Sequence, residues 1–271
     1  MNHTVSFENI ANRFFRSPSS VILMSALEQG ICEIWCDDNT NPKNIVAFTE
    51  SSAYVDGSIV QEDIINSIYD WMKKHRKERY QIIFQNGIVK DSINQAFAKS
   101  KMGTEYTYEK TKRNLMDIDM EALDTIKLES FINEFPAEYQ LLEIDEKLYE
   151  KVLNDKYLAQ FVHGFSNAED FINNGLGYFV LFNEEIVGGI SSCARYEDNV
   201  EVQIAIHPAH RGKHLARSIG AKFVLECQKI KLYPWWDCAN PTSEHIANIL
   251  GYFLKQENCT YKMQIRTDRA L

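Results

Sequence analysis

The chain has 271 residues, 45% of them hydrophobic and 25% charged, and 29 Lys and Arg against 38 Asp and Glu give a net charge of −9. That is the composition of a soluble globular protein able to bury a sizeable core in one large domain or two ordinary ones. The acidic balance argues against broad binding of nucleic acid or an anionic membrane, which needs a basic face, but leaves room for a small basic pocket.

No apolar run approaches the ~18 residues of a membrane span, and the first residues, "MNHTVSFENIANRFFRSPSS", show neither an apolar core nor a small-residue cleavage site. Six scattered cysteines (Cys32, Cys36, Cys193, Cys227, Cys238, Cys259) form no CxxC pair, which predicts reduced thiols in a cytoplasm.

In chain order, "ICEIWCDD" and "NIVAFTESSAYVDG" read as extended. "QEDIINSIYDWMKKHRK" places Ile64, Ile65, Ile68, Trp71 and Met72 on one helical face. The cations at its end suit the negative pole of a helix. "RYQIIFQNG" is a buried strand ended by Asn86-Gly87, "DSINQAFAKS" a short helix and "YTYEKTKRNLM" a strand. This half is α/β material without a catalytic motif.

A second unit begins between residues 125 and 138. "YQLLEID" restarts the strand signal, and "EKLYEKVLND" and "NAEDFINNG" are helical. "GYFVLFN" and "IVGGISSCARY" flank a polar turn and read as a hairpin. In "NVEVQIAI", Val200, Val202, Ile204 and Ile206 alternate with Glu201, Gln203 and Ala205, so one face is apolar and the other carries a carboxylate and an amide.

Next comes "HPAHRGKH" and the amphipathic run "LARSIGAKFVLECQKI", with Leu215, Ile219, Phe223, Val224, Cys227 and Ile230 on one face. Arg211 to Ala216 therefore lie at a helix N-terminus, where unpartnered amides and a positive dipole suit a phosphate. Plain surface histidines are the alternative at this turn. A metal reading would use His207, His210 and His214, but Pro208 and Gly212 interrupt the run and no carboxylate joins it, so no metal is expected. "YPWWDCA" is a short buried strand ended by Asn240. Thr242 or Ser243 is expected to cap "SEHIANILG", Gly251 to end it, and "YFLKQENCTYKMQI" to return as a strand. Trp235, Trp236 and Cys238 read as core.

Residues 200–252 resemble the GNAT superfamily of acyl-CoA N-acyltransferases. Their [Q/R]-x-x-G-x-[G/A] loop is matched by Arg211-Gly212-Lys213-His214-Leu215-Ala216, and their later N-x-x-[A/S]…G-[F/Y] segment by Asn240, Ser243, Gly251 and Tyr252. "WDCANPTS" is similar to a bacterial subfamily with an extra N-terminal α/β domain. The resemblance implies a C-terminal GNAT domain (126–271) with a mixed sheet that splays beside its fourth strand. An N-terminal α/β domain (1–125) would precede it, shaping the acceptor site or supporting a homodimer.

Acetyl-CoA would enter the gap as cosubstrate, its pantetheine on Ile204, Ala205 and Ile206 and on Asn240 and Ser243. Its pyrophosphate would lie on Arg211, Gly212, Lys213, His214, Leu215 and Ala216. An amine would then attack the thioester directly, with Glu201 as base through water and Gln203 orienting the substrate. Two positions depart from the pattern: His214 stands for the usual loop glycine, and Ala247 for the tyrosine that protonates the leaving thiolate, for which His245 or water would substitute. The alternative is an acyl-CoA sensor or scaffold without turnover.

Overall fold

The computed structural model describes residues 21–38, 41–57, 59–84 and 90–266. Residues 1–113 with 256–271 form one compact unit and residues 114–255 another. This division differs from the expected 1–125 and 126–271. Strand β5 (Tyr106–Asp117) starts in the first unit and ends in the second, and β11 (Phe253–Ile265) runs the other way, so the chain's last strand belongs mostly with the N-terminal residues.

The first unit holds α1 (Val21–Glu28), β1 (Glu33–Cys36), β2 (Asn44–Phe48), β3 (Ser52–Gly57), α2 (Glu62–Lys74), β4 (Arg79–Phe84), α3 (Lys90–Lys99) and the short α4 (Met102–Glu105). Its strand order is β1-β2-β3-β4-β11-β5. In this unit β3 and β4 are parallel, while β1–β2, β2–β3 and β4–β11 are antiparallel. Helix α2 buries Ile64, Ile65, Ile68 and Met72 as its spacing predicts, and Trp71 stacks on Phe48 and Tyr80. The expected Asn86-Gly87 strand end lies outside the described residues.

The second unit contains α5 (Thr125–Asn133), β6 (Gln140–Glu143), α6 (Glu146–Leu153), a 3-10 turn at Leu158–Phe161, α7 (Ala168–Asn174), β7 (Gly177–Phe182), β8 (Glu185–Tyr196) and β9 (Asn199–Ile206). A 3-10 turn at Pro208–His210, α8 (Leu215–Ile230), β10 (Tyr233–Cys238) and α9 (Pro241–Ile249) complete it. The order is β6-β7-β8-β9-β10, with the end of β5 beside β10. Neighbours are antiparallel except β9 and β10, so the sheet is mixed as expected. The β7–β8 hairpin turns on Asn183 and Glu184, both with positive φ, which matches the twist of the flanking strands.

The alternation in β9 sorts the core into two layers. Val200, Val202 and Ile206 pack with Ile190 and with Leu215, Ile219, Phe223 and Val224 of α8. The opposite sheet face meets Phe161, Val162, Phe165 and the aromatics of α6 and α7. Helix α5 is capped by Asp124 and packs Phe131 and Ile132 against the α8 layer. Ile230, placed on the apolar face by its spacing, is 53% exposed because it is the last residue of α8.

The turn after Leu158–Phe161 is pinned to β8. Ser191 donates its hydroxyl to the Phe161 carbonyl at 2.6 Å. A Cβ on Gly164 would stand 2.1 Å from the Cys193 carbonyl oxygen. Gly164→Ala is expected to cost about 1–3 kcal/mol, since main chain must move on one side or the other. Urea denaturation at constant slope checks this, and an unchanged midpoint would contradict it.

Candidate active site

Strand β9 pairs with β8 along its whole length, from Asn199 to Ile206. Its pairing with β10 ends after three residues: Asn199 with Tyr233, Val200 with Pro234 and Glu201 with Trp235. Meanwhile β10 stays on β5 through Trp236, Asp237 and Cys238. The two strands therefore part after Glu201, and the sheet opens there.

Hydrogen-bond parity decides which groups face the opening. His207 donates its amide to the Val187 carbonyl at 2.7 Å, so the residue pairs 189/205 and 191/203 are the mutually bonded ones in the antiparallel ladder. Ala205 and Gln203 thus spend their main-chain groups on β8. Val202, Ile204 and Ile206 point theirs the other way. Of the three residues expected to meet pantetheine, Ile204 and Ile206 face the gap. Ala205 does not, and the Ile206 carbonyl already accepts from Arg211 Nε at 3.0 Å.

The loop after β9 leads straight to α8. Gly212 has φ +76 and open space around its missing Cβ, and His214 sits in the left-handed region at φ 63 as the residue before Leu215. The first in-helix bond runs from the Ser218 amide to the His214 carbonyl, so the amides of Leu215, Ala216 and Arg217 have no partner within the helix. No side chain caps this end and no acid lies in its first turn. Arg211, Gly212, Lys213 and His214 are all exposed.

The left-handed backbone at His214 is where glycine would stand without a Cβ penalty. His214→Gly is expected to raise the stability of the free protein by up to about 1 kcal/mol, read from the denaturant midpoint. A loss of stability would show that the imidazole makes a contact worth more than the strain.

Aromatic residues buttress the loop. Tyr139, just before β6, meets His210 Nδ1 through its hydroxyl at 2.9 Å. Lys213 Nζ stands 5.4 Å from the Tyr139 ring centre and 6.0 Å from that of Phe182. The Tyr139 hydroxyl also holds the Lys213 ammonium above the usual lysine range. Two of the three loop histidines have hydrogen-bond partners of their own. His207 accepts from the Ala209 amide and His210 meets Tyr139. Among the described residues no group of three or more His, Cys, Asp or Glu is arranged to hold a metal ion.

Glu201 and Gln203 lie on the sheet face away from α8. Glu201 is only 5% exposed, so the carboxylate on the polar face of β9 is buried. Its Oε1 accepts the Asp237 amide at 3.1 Å. Gln203 donates Nε2 to Gln160 Oε1 at 3.0 Å, and Gln160 donates to the Tyr157 carbonyl. Sequence reading missed Gln160, since a lone glutamine in a turn carries no pattern.

Beyond the gap, Asn240 rather than Thr242 or Ser243 caps α9. Its Oδ1 accepts the Ser243 amide at 3.0 Å, with Pro241 at the first helical position. Only its amide nitrogen is left to reach a ligand. Ser243 Oγ accepts from Trp236 Nε1 at 2.9 Å. Ala247 is fully buried, whereas His245 is exposed on the same helix. Burial pushes the Cys238 thiol up to about 12, opposed by a hydrogen bond with Ser243, which keeps it a thiol and not a nucleophile. The Tyr252 hydroxyl is buried without a partner among the described residues.

A mixed sheet that opens beside its fourth strand of the second unit, followed at once by a bare helix N-terminus, is the architecture of an acyltransferase of the GNAT type. Residues 12–261 match the GNAT acetyltransferase family profile, and the chain belongs to that family. It is 23% identical over 244 residues to the uncharacterized N-acetyltransferase YdfB of Bacillus subtilis (strain 168), covering 84% of each chain. A GCN5-related N-acetyltransferase-like protein from Streptococcus suis 89/1591 shares the fold with a TM-score of 0.77 at 24% identity, over 96% of this chain and 98% of that one. A GCN5-related N-acetyltransferase from Kribbella flavida aligns with a TM-score of 0.56 at 12% identity, over 91% and 98%.

Proposed function

We propose that the protein transfers an acetyl group from acetyl-CoA to an amine by direct attack in a ternary complex. The observation that carries this reading is the early end of the β9–β10 ladder. It leaves the N–H and C=O of Ile204 free to pair with the amides of a pantetheine arm lying between the strands. The pyrophosphate then falls on the amides of Arg211 through Ala216, where the uncapped α8 dipole and the Lys213 cation favour it. Ile206 lines this path beside Ile204, while Ala205 stays paired to β8, and Asn240 Nδ2 and Ser243 flank the arm on the β10 side.

The amine nitrogen attacks the thioester carbonyl carbon, the C–S bond breaks, and the ammonium proton passes through water to Glu201. Gln203, held by Gln160, orients the acceptor. With Ala247 buried where relatives carry a tyrosine, the leaving thiolate takes its proton from water or from His245. Positioning and proton transfer together supply the rate.

We place the protein in the cytoplasm, on the support of six free cysteines and of the absence, among the described residues, of any helix long and apolar enough to cross a membrane. The test is thiol release from acetyl-CoA across a panel of primary amines, run beside a thermal-shift titration. Release with at least one amine supports the transferase. Stabilisation by acetyl-CoA without release from any amine favours a sensor, and neither effect overturns the reading.

A further inference from the structure

Where β9 and β10 part, the side chain of Glu201 meets the main chain of β10. The Tyr233 amide donates to the Asp198 carbonyl at 2.7 Å, which fixes the parallel register. In that register the odd residues of β10 bond to the even residues of β9, two further along at each step. The Asp237 amide should therefore find the Val202 carbonyl. It instead finds Glu201 Oε1 at 3.1 Å. At the same residue β10 remains paired with β5, Asp237 opposite Leu115, so β10 is anchored on its far edge while its near edge is held by a side chain.

A carboxylate this buried is costly unless hydrogen-bonded, and here it occupies the place of a main-chain acceptor. On the other side of β9 an irregularity in β8 between Ser192 and Ala194 lies opposite Glu201 and Val202. Such a bulge adds twist at the point of parting.

We infer that Glu201 is a positioning residue that sets the width of the donor gap, by supplying the acceptor that Val202 would otherwise give to Asp237 and so stopping the ladder one step before it would close. This role is separate from proton uptake, and it rests on the reading that acetyl-CoA occupies the gap. Its consequence is that the acceptor oxygen of residue 201, not its charge, controls affinity for the donor.

The experiment combines a hydrogen-bond scalar correlation with donor titration. In the wild-type protein, with no ligand, the Asp237 amide nitrogen should couple to the side-chain carboxyl carbon of Glu201. Coupling to the Val202 carbonyl carbon would overturn the inference, and this reading needs no variant. Glu201→Gln keeps the acceptor and should hold the acetyl-CoA Kd near the wild-type value. Glu201→Met, similar in size but without an acceptor, should transfer the coupling to Val202 and raise Kd about tenfold or more. A methionine variant that binds as tightly as wild type overturns the inference, as does a glutamine variant that loses as much affinity as methionine. Wild-type coupling to Glu201 with no acetyl-CoA binding would remove the donor reading while leaving Glu201 as the group that ends the ladder.

Discussion

Ala216→Glu is expected to abolish stabilisation by acetyl-CoA without harming the free protein. Ala216 is half-buried in the first turn of α8, among the three amides that lack a partner within the helix. A carboxylate at this end is favourable to the empty helix, because it faces the positive pole. The melting temperature of the ligand-free variant should therefore stay level or rise slightly. The same charge would occupy the amides that the pyrophosphate needs and repel it. For wild type at 100 times the dissociation constant, binding adds about 2.7 kcal/mol, which is several degrees for a chain of this length. The variant should show no such shift. Equal shifts in both proteins would move the phosphates away from this loop. A lowered melting temperature in the free variant would point instead to Ala216 packing, which the neighbouring core layer makes the competing effect.

What the sequence made legible was local. The alternation from Val200 to Ile206, the loop from Arg211 to Ala216 and the helix behind it depend on neighbours within a few residues, and they stand where the spacing places them. The contacts that close the site join distant residues. Asp237 reaches Glu201 and Gln203 reaches Gln160 across many intervening positions. Alternation told which way Glu201 points, yet not that its carboxylate would be buried against the Asp237 amide.

The cap of α9 could have been read: Asn240 followed by Pro241 is the pattern of an N-cap with proline at the first helical position. Helix α5 carried a signal that went unread: Leu128, Phe131 and Ile132 recur at helical spacing behind the Asp124 cap. The division between units escaped because β5 and β11 each cross it, so no linker composition marks the place.

Glu201→Gln is the second large effect, and it separates chemistry from geometry at one residue. Glutamine retains an oxygen that can accept the Asp237 amide, so the parting of the strands and the donor site should persist. It cannot take up the proton that the acceptor ammonium must lose to become the attacking amine. A positioned general base contributes roughly 10²–10⁴-fold, so kcat with the best amine of the panel should fall by about 10²-fold or more while the acetyl-CoA Kd is held. Raising the pH, which supplies neutral amine from solution, should recover part of the loss. Proton uptake by Glu201 runs through water in this account, because Oε1 is engaged with Asp237 and the carboxylate is nearly closed to solvent. Unchanged kcat at unchanged Kd would leave Glu201 with the positioning role alone and assign the base to another group. A loss of both would mean that the charge itself orders the gap. Only a fall in kcat with affinity intact is consistent with one carboxylate serving two ends, one oxygen fixed to the backbone of β10 and the carboxylate as a whole accepting the proton relayed by water.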